Sequence, residues 1–154
     1  MRNDTIKDFY NFLKQESETN ELIGAKPGEK HFCRREIREF YEGLRNDCVF
    51  PVVIGEGFMN DYVEKDNGIW KQRETAFAVV DSYEDTDDWD QIDNAFAVSE
   101  TIGDDILRKI IDLYRAQNCI VLVSKALCDQ IEDADARWVG LRYELTISSF
   151  WKGN

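Results

Sequence analysis

The stretch RWVGLRYELTISSFW, residues 137–151, alternates more clearly than any other part of the chain. Val139, Leu141, Tyr143, Leu145 and Ile147 fall on one side of a two-residue period, and Gly140, Arg142, Glu144 and Thr146 on the other. Successive side chains of a strand point to opposite faces, so this pattern requires a strand with one apolar and one polar face. Antiparallel sheets with one covered side present that alternation. The covering element is legible just upstream. Over residues 87–116, Trp89, Ile92, Phe96, Ser99, Gly103, Ile106, Ile110 and Leu113 recur at steps of three and four, the stripe of one long amphipathic helix. A glycine inside a helix costs about 1 kcal/mol, so Gly103 implies close approach to the sheet or a kink.

The remaining elements are shorter. Ile6, Phe9, Tyr10 and Leu13 predict a helix over 4–17, capped by Asp4 or Thr5. A polar connection with a Pro27-Gly28 turn follows. Ile37, Phe40, Tyr41 and Leu44 predict a second short helix from about Arg34 to Asn46. Its start carries Arg34, Arg35 and Arg38, the wrong charge for a helix N-terminus, which implies acidic partners here or on a neighbour. CVFPVVIG, 48–55, reads as a buried strand; Pro51 cannot donate to a ladder and demands an edge or a bulge. Asn67-Gly68 is a two-residue hairpin signal between Tyr62/Val63 and Ile69/Trp70. TAFAVVDSY, 75–83, and CIVLVSKAL, 119–127, complete the strands. The order predicts an α+β fold: a mostly antiparallel sheet with one long helix and two shorter helices packed on it. At 154 residues the chain is one domain, and the helix at 4–17 is the element such a domain would most readily carry at its periphery.

A formal charge of −12 disfavours a DNA- or membrane-binding surface, since phosphate backbones are bound by Lys and Arg. It also serves solubility. Cys33, Cys48, Cys119 and Cys128 form no C-x-x-C pair, so zinc ribbons and thioredoxin-like sites are disfavoured. They are expected to be reduced, in a cytoplasmic setting, with Cys48 and Cys119 as small buried hydrophobes. The start MRNDTIKDFYNFLKQ has no apolar run suited to a signal peptide, and no segment approaches a membrane span.

The acids are densest in SYEDTDDWDQID, 82–93. A calcium loop begun at Asp85 would place Asp90 at its sixth position and Phe96 at its twelfth, where glycine and glutamate are required. No metal site is therefore assigned. DNA mimicry requires acids spread over a face, whereas these gather at one helix end. Helix capping by Asp85 or Thr86, with acids in the first turn, accounts for two or three of them. Glu84, Asp85, Asp87, Asp88 and Asp90 together are left as a candidate acidic surface for a partner or channel.

Catalytic chemistry is sparse. His31, the single histidine, has no triad partners, lies too near Cys33 in sequence to act as its base, and is read as a loop residue. The GEG at 55–57 lacks the lysine and helix of a phosphate loop. No carboxylate pair stands out for acid–base work. No catalytic residue, cofactor or metal is assigned, and the chain is read as a non-enzyme. Among the tryptophans, Trp70 and Trp151 are the candidates for meeting a partner, with burial in the same chain as the alternative.

Three segments together carry a resemblance: HFCRREIREFYEGLRNDCVFPVVIGEGF, then ETAFAVVDSYEDTDDWDQIDNAFAVSETIGDDILRKII, then RWVGLRYELTISSF. They span about residues 30–150 and resemble tailed-phage and prophage proteins of the tail-completion or tail-terminator kind. The features carrying it are the helix leading into FPVVIGEG, the apolar strand ending at Asp81, the acidic helix start, SETIGDDILRKI, and the closing Gly140-x-Arg142-Tyr143-Glu144-Leu145. These are structural motifs. The resemblance implies a small α+β virion structural protein, assembled in the bacterial host cytoplasm into a ring, commonly a hexamer, at the tail end or head–tail junction. Its partners would be copies of itself and neighbouring tail or neck proteins. DNA would pass through the ring without specific binding, and no membrane is involved. On this reading Arg34, Arg35, Arg38, Asn67, Gly68 and Trp70 are candidate subunit-interface residues, and the acidic surface faces the channel. The alternative is an acidic intracellular immunity or inhibitor protein that neutralises a basic toxin or nuclease. A carboxylate enzyme, which would need a deep pocket of perturbed acids, is a third reading.

Overall fold

The computed structural model describes residues 5–34, 47–65, 67–123, 129–133 and 137–153. In chain order the elements are α1 (Ile6–Thr19), β1 (Lys30–Arg34), β2 (Cys48–Gly55), β3 (Met59–Lys65), β4 (Gly68–Ser82), α2 (Trp89–Ala116), β5 (Ile120–Val123), β6 (Asp129–Asp133) and β7 (Trp138–Gly153). Two long strands organise the sheet. β4 and β7 pair antiparallel from Gly68↔Gly153 to Ser82↔Trp138. The other edge of β4 is shared between β3, opposite 68–74, and β2, opposite 77–80. The other edge of β7 is shared between β5, opposite 145–148, and β6, opposite 138–142. β1 joins β2 in the one parallel pair among the described residues. The fold is α+β with a mostly antiparallel sheet, seven-stranded among the described residues.

The alternation of residues 137–151 is realised as read. Leu141, Tyr143, Leu145 and Ile147 join Val53, Phe77 and Val79 on the face that carries both helices. There they meet Phe9 and Leu13 of α1 and Ile102, Ile106, Ile110 and Tyr114 of α2. Burying one side chain such as Ile106 contributes roughly 1.5–3 kcal/mol. α1 thus shares the main core rather than lying on its margin. Gly103 of α2 sits against Tyr143, where an added Cβ would be 2.6 Å from the tyrosine Cζ. Close approach, not a kink, is its role. The opposite face is less polar than the sequence implies. Arg142, Glu144 and Thr146 lie there, but Val52, Ile54, Ala78, Val80, Cys33 and Trp138 form a second buried cluster beside them.

Several boundaries differ from expectation. Thr5 caps α1 in a capping box with Asp8, so the helix runs 6–19. Asp88, not Asp85 or Thr86, caps α2: its carboxylate accepts from the amides of Asp90 and Gln91. Asp85 is spent one turn earlier, accepting from the Asp87 amide. Trp89, read as the first residue of the buried stripe, is 74% exposed, and the stripe that faces the sheet begins with Ile92 and Ala95. Two helices occur among the described residues, not one long and two shorter. The helix read over 34–46 falls outside the described residues, except that Arg34 ends β1, opposite Gly55. β1 escaped the sequence reading because five residues, KHFCR, carry too short an alternation. Pro51 lies where the β1–β2 register is irregular, between Lys30↔Cys48 and Phe32↔Val53, as its missing N–H requires. The hairpin is present, but Lys65 pairs with Gly68, so Gly68 opens β4 instead of belonging to the loop.

Candidate functional site

The acidic helix start is built from local hydrogen bonds. Gln91 Oε1 accepts from the amides of Glu84 and Asp85, the Asp88 amide donates to the Asp85 carbonyl, and Arg137 donates to the Glu84 carbonyl. Asp85 and Asp88 therefore use their carboxylates on backbone. Glu84, Asp87 and Asp90 are exposed, and their side chains make no hydrogen bond or ion pair among the described residues. Exposed Trp89 stands among them. The five residues singled out from sequence form one surface, divided into two structural acids and three outward ones. Beside them, burial pushes the Asp81 carboxyl up, partly offset by the hydrogen bond from the Ser82 amide.

A cluster of four cations lies elsewhere. Lys7 and Lys14 of α1 and Lys30 and Arg34 of β1 line a groove of about 490 Å³ floored by Tyr10 and Phe32. All four are exposed, in a chain whose formal charge is −12. The Arg34 guanidinium lies 4.5 Å from the centre of the Tyr10 ring, a cation–π contact that holds it over the groove. Arg35 and Arg38 lie outside the described residues. Arg34 ends β1, and the helix whose start it was read to occupy lies outside the described residues. The three lysines were missed because their positions, 7, 14 and 30, converge only when β1 packs on α1.

Asn67, Gly68 and Trp70 meet at the tip of an arm made of β3, the first half of β4 and the end of β7. Six of the seven residues of β3 are exposed. Trp70 Nε1 donates to Asn67 Oδ1, and its ring packs edge-on against Phe150 and lies under the Lys65 ammonium. Trp70 is thereby half-buried in its own chain. A Cβ at Gly68 would be 3.1 Å from the Gly153 Cα and 2.9 Å from the Phe150 ring, and φ there is +140°, so only glycine fits. Trp151 is 56% exposed and pairs with exposed Tyr62 at 5.1 Å.

A cleft of about 480 Å³ lies at the base of the arm, lined by Glu56, Met59, Glu74, Arg142, Glu144 and Thr146. Arg142 Nε donates to Glu56 at 2.6 Å, and its other nitrogens reach Glu144 and Glu56. The hydrogen bond to Glu56 leads in raising the Arg142 pKa, with burial opposing and Glu144 assisting. The arginine thus ion-pairs with two of the three carboxylates, which favours a fixed ion-pair network over acid–base chemistry.

Two sequence readings need correction. His31 is not a loop residue: it is buried in β1, with Nδ1 2.9 Å from the Pro51 carbonyl and Nε2 3.0 Å from Glu29. Cys48 is only half-buried. Its thiol is drawn down to about 7, first by a hydrogen bond from the Cys33 thiol, against burial, with Lys30 and His31 assisting and Asp47 opposing. Cys33 and Cys119 are buried, and Cys128 lies outside the described residues. Among the described residues no three His, Cys, Asp or Glu side chains are disposed to hold a metal ion, and no helix is long and apolar enough to cross a membrane. Neither a protein-family model nor a curated protein matches the chain.

Proposed function

We propose that this chain is a non-enzymatic assembly protein of the tail-completion or tail-terminator kind, which forms a ring at the tail end or head–tail junction of a tailed phage or prophage. The observation that carries the reading is charge complementarity between two separate surfaces of one chain. The groove of Lys7, Lys14, Lys30 and Arg34 is basic, and the start of α2 with Glu84, Asp87 and Asp90 is acidic. A contact between unlike surfaces of identical chains is heterologous, and it generates a ring when the rotation closes. The arm supplies a second contact, because β3 offers a strand edge with no partner among the described residues, flanked by Tyr62 and Trp151. Charges on β3 limit indiscriminate pairing along that edge. Neighbouring tail or neck proteins would cap such a ring, and acids left facing its channel would repel passing DNA.

The test is charge reversal with compensation. Lys30→Glu with Arg34→Glu is expected to shift the oligomer to monomer in native mass spectrometry. Adding Asp87→Lys and Asp90→Lys is expected to restore it. Undiminished rings in the first variant would remove the groove from the interface.

A second reading is favoured by Trp89. A tryptophan 74% exposed between Asp88 and Asp90 is the kind of aromatic anchor that dominates binding energy once a basic partner desolvates it. An acidic immunity or inhibitor protein would use it so. That reading predicts a chain that stays monomeric or dimeric and loses a basic partner on Trp89→Ala, with strong salt dependence.

A further inference from the structure

We propose that Cys33 and Cys48 form a redox-responsive thiol pair, in which half-exposed Cys48 reacts first and buried Cys33 resolves it to an intrachain disulfide across the β1–β2 pair. The geometry rests on three observations. The two cysteines sit on neighbouring parallel strands and pack in the same cluster on the face opposite the helices. The Cys48 sulfur lies 3.9 Å from the Phe32 carbonyl, which places it beside the backbone that leads into Cys33. Cys33 is also the leading cause of the lowered Cys48 pKa, as a near neighbour of its sulfur. The strand register is irregular here, between Lys30↔Cys48 and Phe32↔Val53, so the backbone next to the pair is not locked by a regular ladder. The sulfurs must come to a bond of about 2 Å, and that slack is where the movement can be taken up. Cys119 belongs to the main core on the other face and has no part in it.

The two positions suit unequal roles. Cys48 is the reachable thiol, and its anion is favoured by the Cys33 S–H and by nearby Lys30. Cys33 is 2% exposed and meets no reagent directly. The oxidant class is a small disulfide, RSSR. The Cys48 thiolate attacks one sulfur of RSSR; a Cys48–SR bond forms, the RS–SR bond breaks, and RS⁻ leaves and takes a proton from water. Cys33 then loses its proton to water and attacks the Cys48 sulfur. The Cys33–Cys48 bond forms, the Cys48–SR bond breaks, and a second RS⁻ leaves. Two protein thiols are oxidised and one disulfide is reduced to two thiols. The product ties β1 to β2 and closes the intervening chain into a loop, which restricts the unfolded state.

The experiment uses the full chain, native, with oxidised glutathione as the probe. Remaining thiols are alkylated, and peptides are mapped by mass spectrometry. The expected result is a Cys33–Cys48 linked peptide pair, two hydrogens lighter than the thiols. It should be reversed by dithiothreitol, with a higher melting temperature in the oxidised chain. Cys33→Ser is expected to stop at a glutathione adduct on Cys48, and Cys48→Ser to leave residue 33 unmodified. Should either variant fail to fold, the wild-type map decides alone. A lasting glutathione adduct on Cys48 with Cys33 still a thiol would overturn the proposal, as would a cross-link confined to Cys119 or Cys128, or no reaction at Cys48.

Discussion

At the scale of single residues, Gly103 and Tyr143 show how one missing side chain fixes a helix on a sheet. The tyrosine ring stacks on Phe77 at 4.8 Å, and its hydroxyl donates to Asp104 at 3.0 Å and to the Glu100 carbonyl at 3.3 Å. This arrangement needs the space that Gly103 leaves empty. Gly103→Ala gains helix propensity but forces an overlap with the ring. A net loss of about 1–3 kcal/mol is expected in urea unfolding. Tyr143→Phe keeps the packing and loses the hydroxyl contacts, for a smaller loss of about 1 kcal/mol. Asp81 gives a pH signature. Burial raises its folded-state pKa above the unfolded one, so the native state binds the proton more tightly. Stability from this group is therefore greatest in acid and falls as pH rises from the ordinary carboxylate range through the raised folded value. Asp81→Asn, whose amide oxygen can still accept from the Ser82 amide, is expected to unfold at higher urea than wild type at neutral pH. The two should converge in acid. Equal midpoints at neutral pH would show that Asp81 bears no desolvation cost.

At the scale of elements, legibility followed periodicity and length. The strand at 137–151 and the helix at 87–116 were readable because many residues repeat one phase, so a single deviant such as Trp89 does not blur the pattern. Caps were readable as a composition but not as a position. Several acids crowd residues 84–90, and only the folded backbone selects Asp88 to bind the free amides. Asp88→Ala is expected to cost about 1 kcal/mol, whereas Asp87→Ala, with no capping duty, should be nearly neutral. β1 and the basic groove were not readable, because they arise from contacts between α1 and a strand distant in sequence. The strut between the two helices was hidden for the same reason. Lys109 of α2 bridges Glu16 of α1 at 3.0 Å and Asp105 at 3.1 Å, and Asn20 donates to both carboxylates. Burial alone would raise Asp105, but the hydrogen bonds from Lys109, Asn20 and Arg108 outweigh it and hold the carboxyl below its usual range. That contribution is present above the unfolded pKa and lost as pH falls through the folded one. Lys109→Met is therefore expected to cost about 1 kcal/mol at neutral pH, given that the ammonium is solvent-screened, with the difference vanishing in acid.

At the scale of the whole molecule, the surface is organised unevenly for so acidic a chain. Four cations line one groove, three outward acids surround an exposed tryptophan at the start of α2, and an arm carries Tyr62 and Trp151 away from the core. Truncating both arm aromatics, Tyr62→Ser with Trp151→Ser, removes two half-exposed rings that pack on each other. Monomer stability should fall by about 1–2 kcal/mol with the fold intact, while assembly weakens. The cleft at Arg142 gives the opposite contrast. Its ion pairs hold β7 to the end of β2, so Arg142→Leu should disturb the monomer. The resemblance to tail-completion proteins and the charge-complementary surfaces meet in one claim, that the chain closes into a ring. Native mass spectrometry across a range of protein concentration and ionic strength tests it most directly. A discrete closed oligomer, such as a hexamer, that dissociates to monomer as salt rises is the predicted result. A strict monomer at every concentration and at low salt would contradict it.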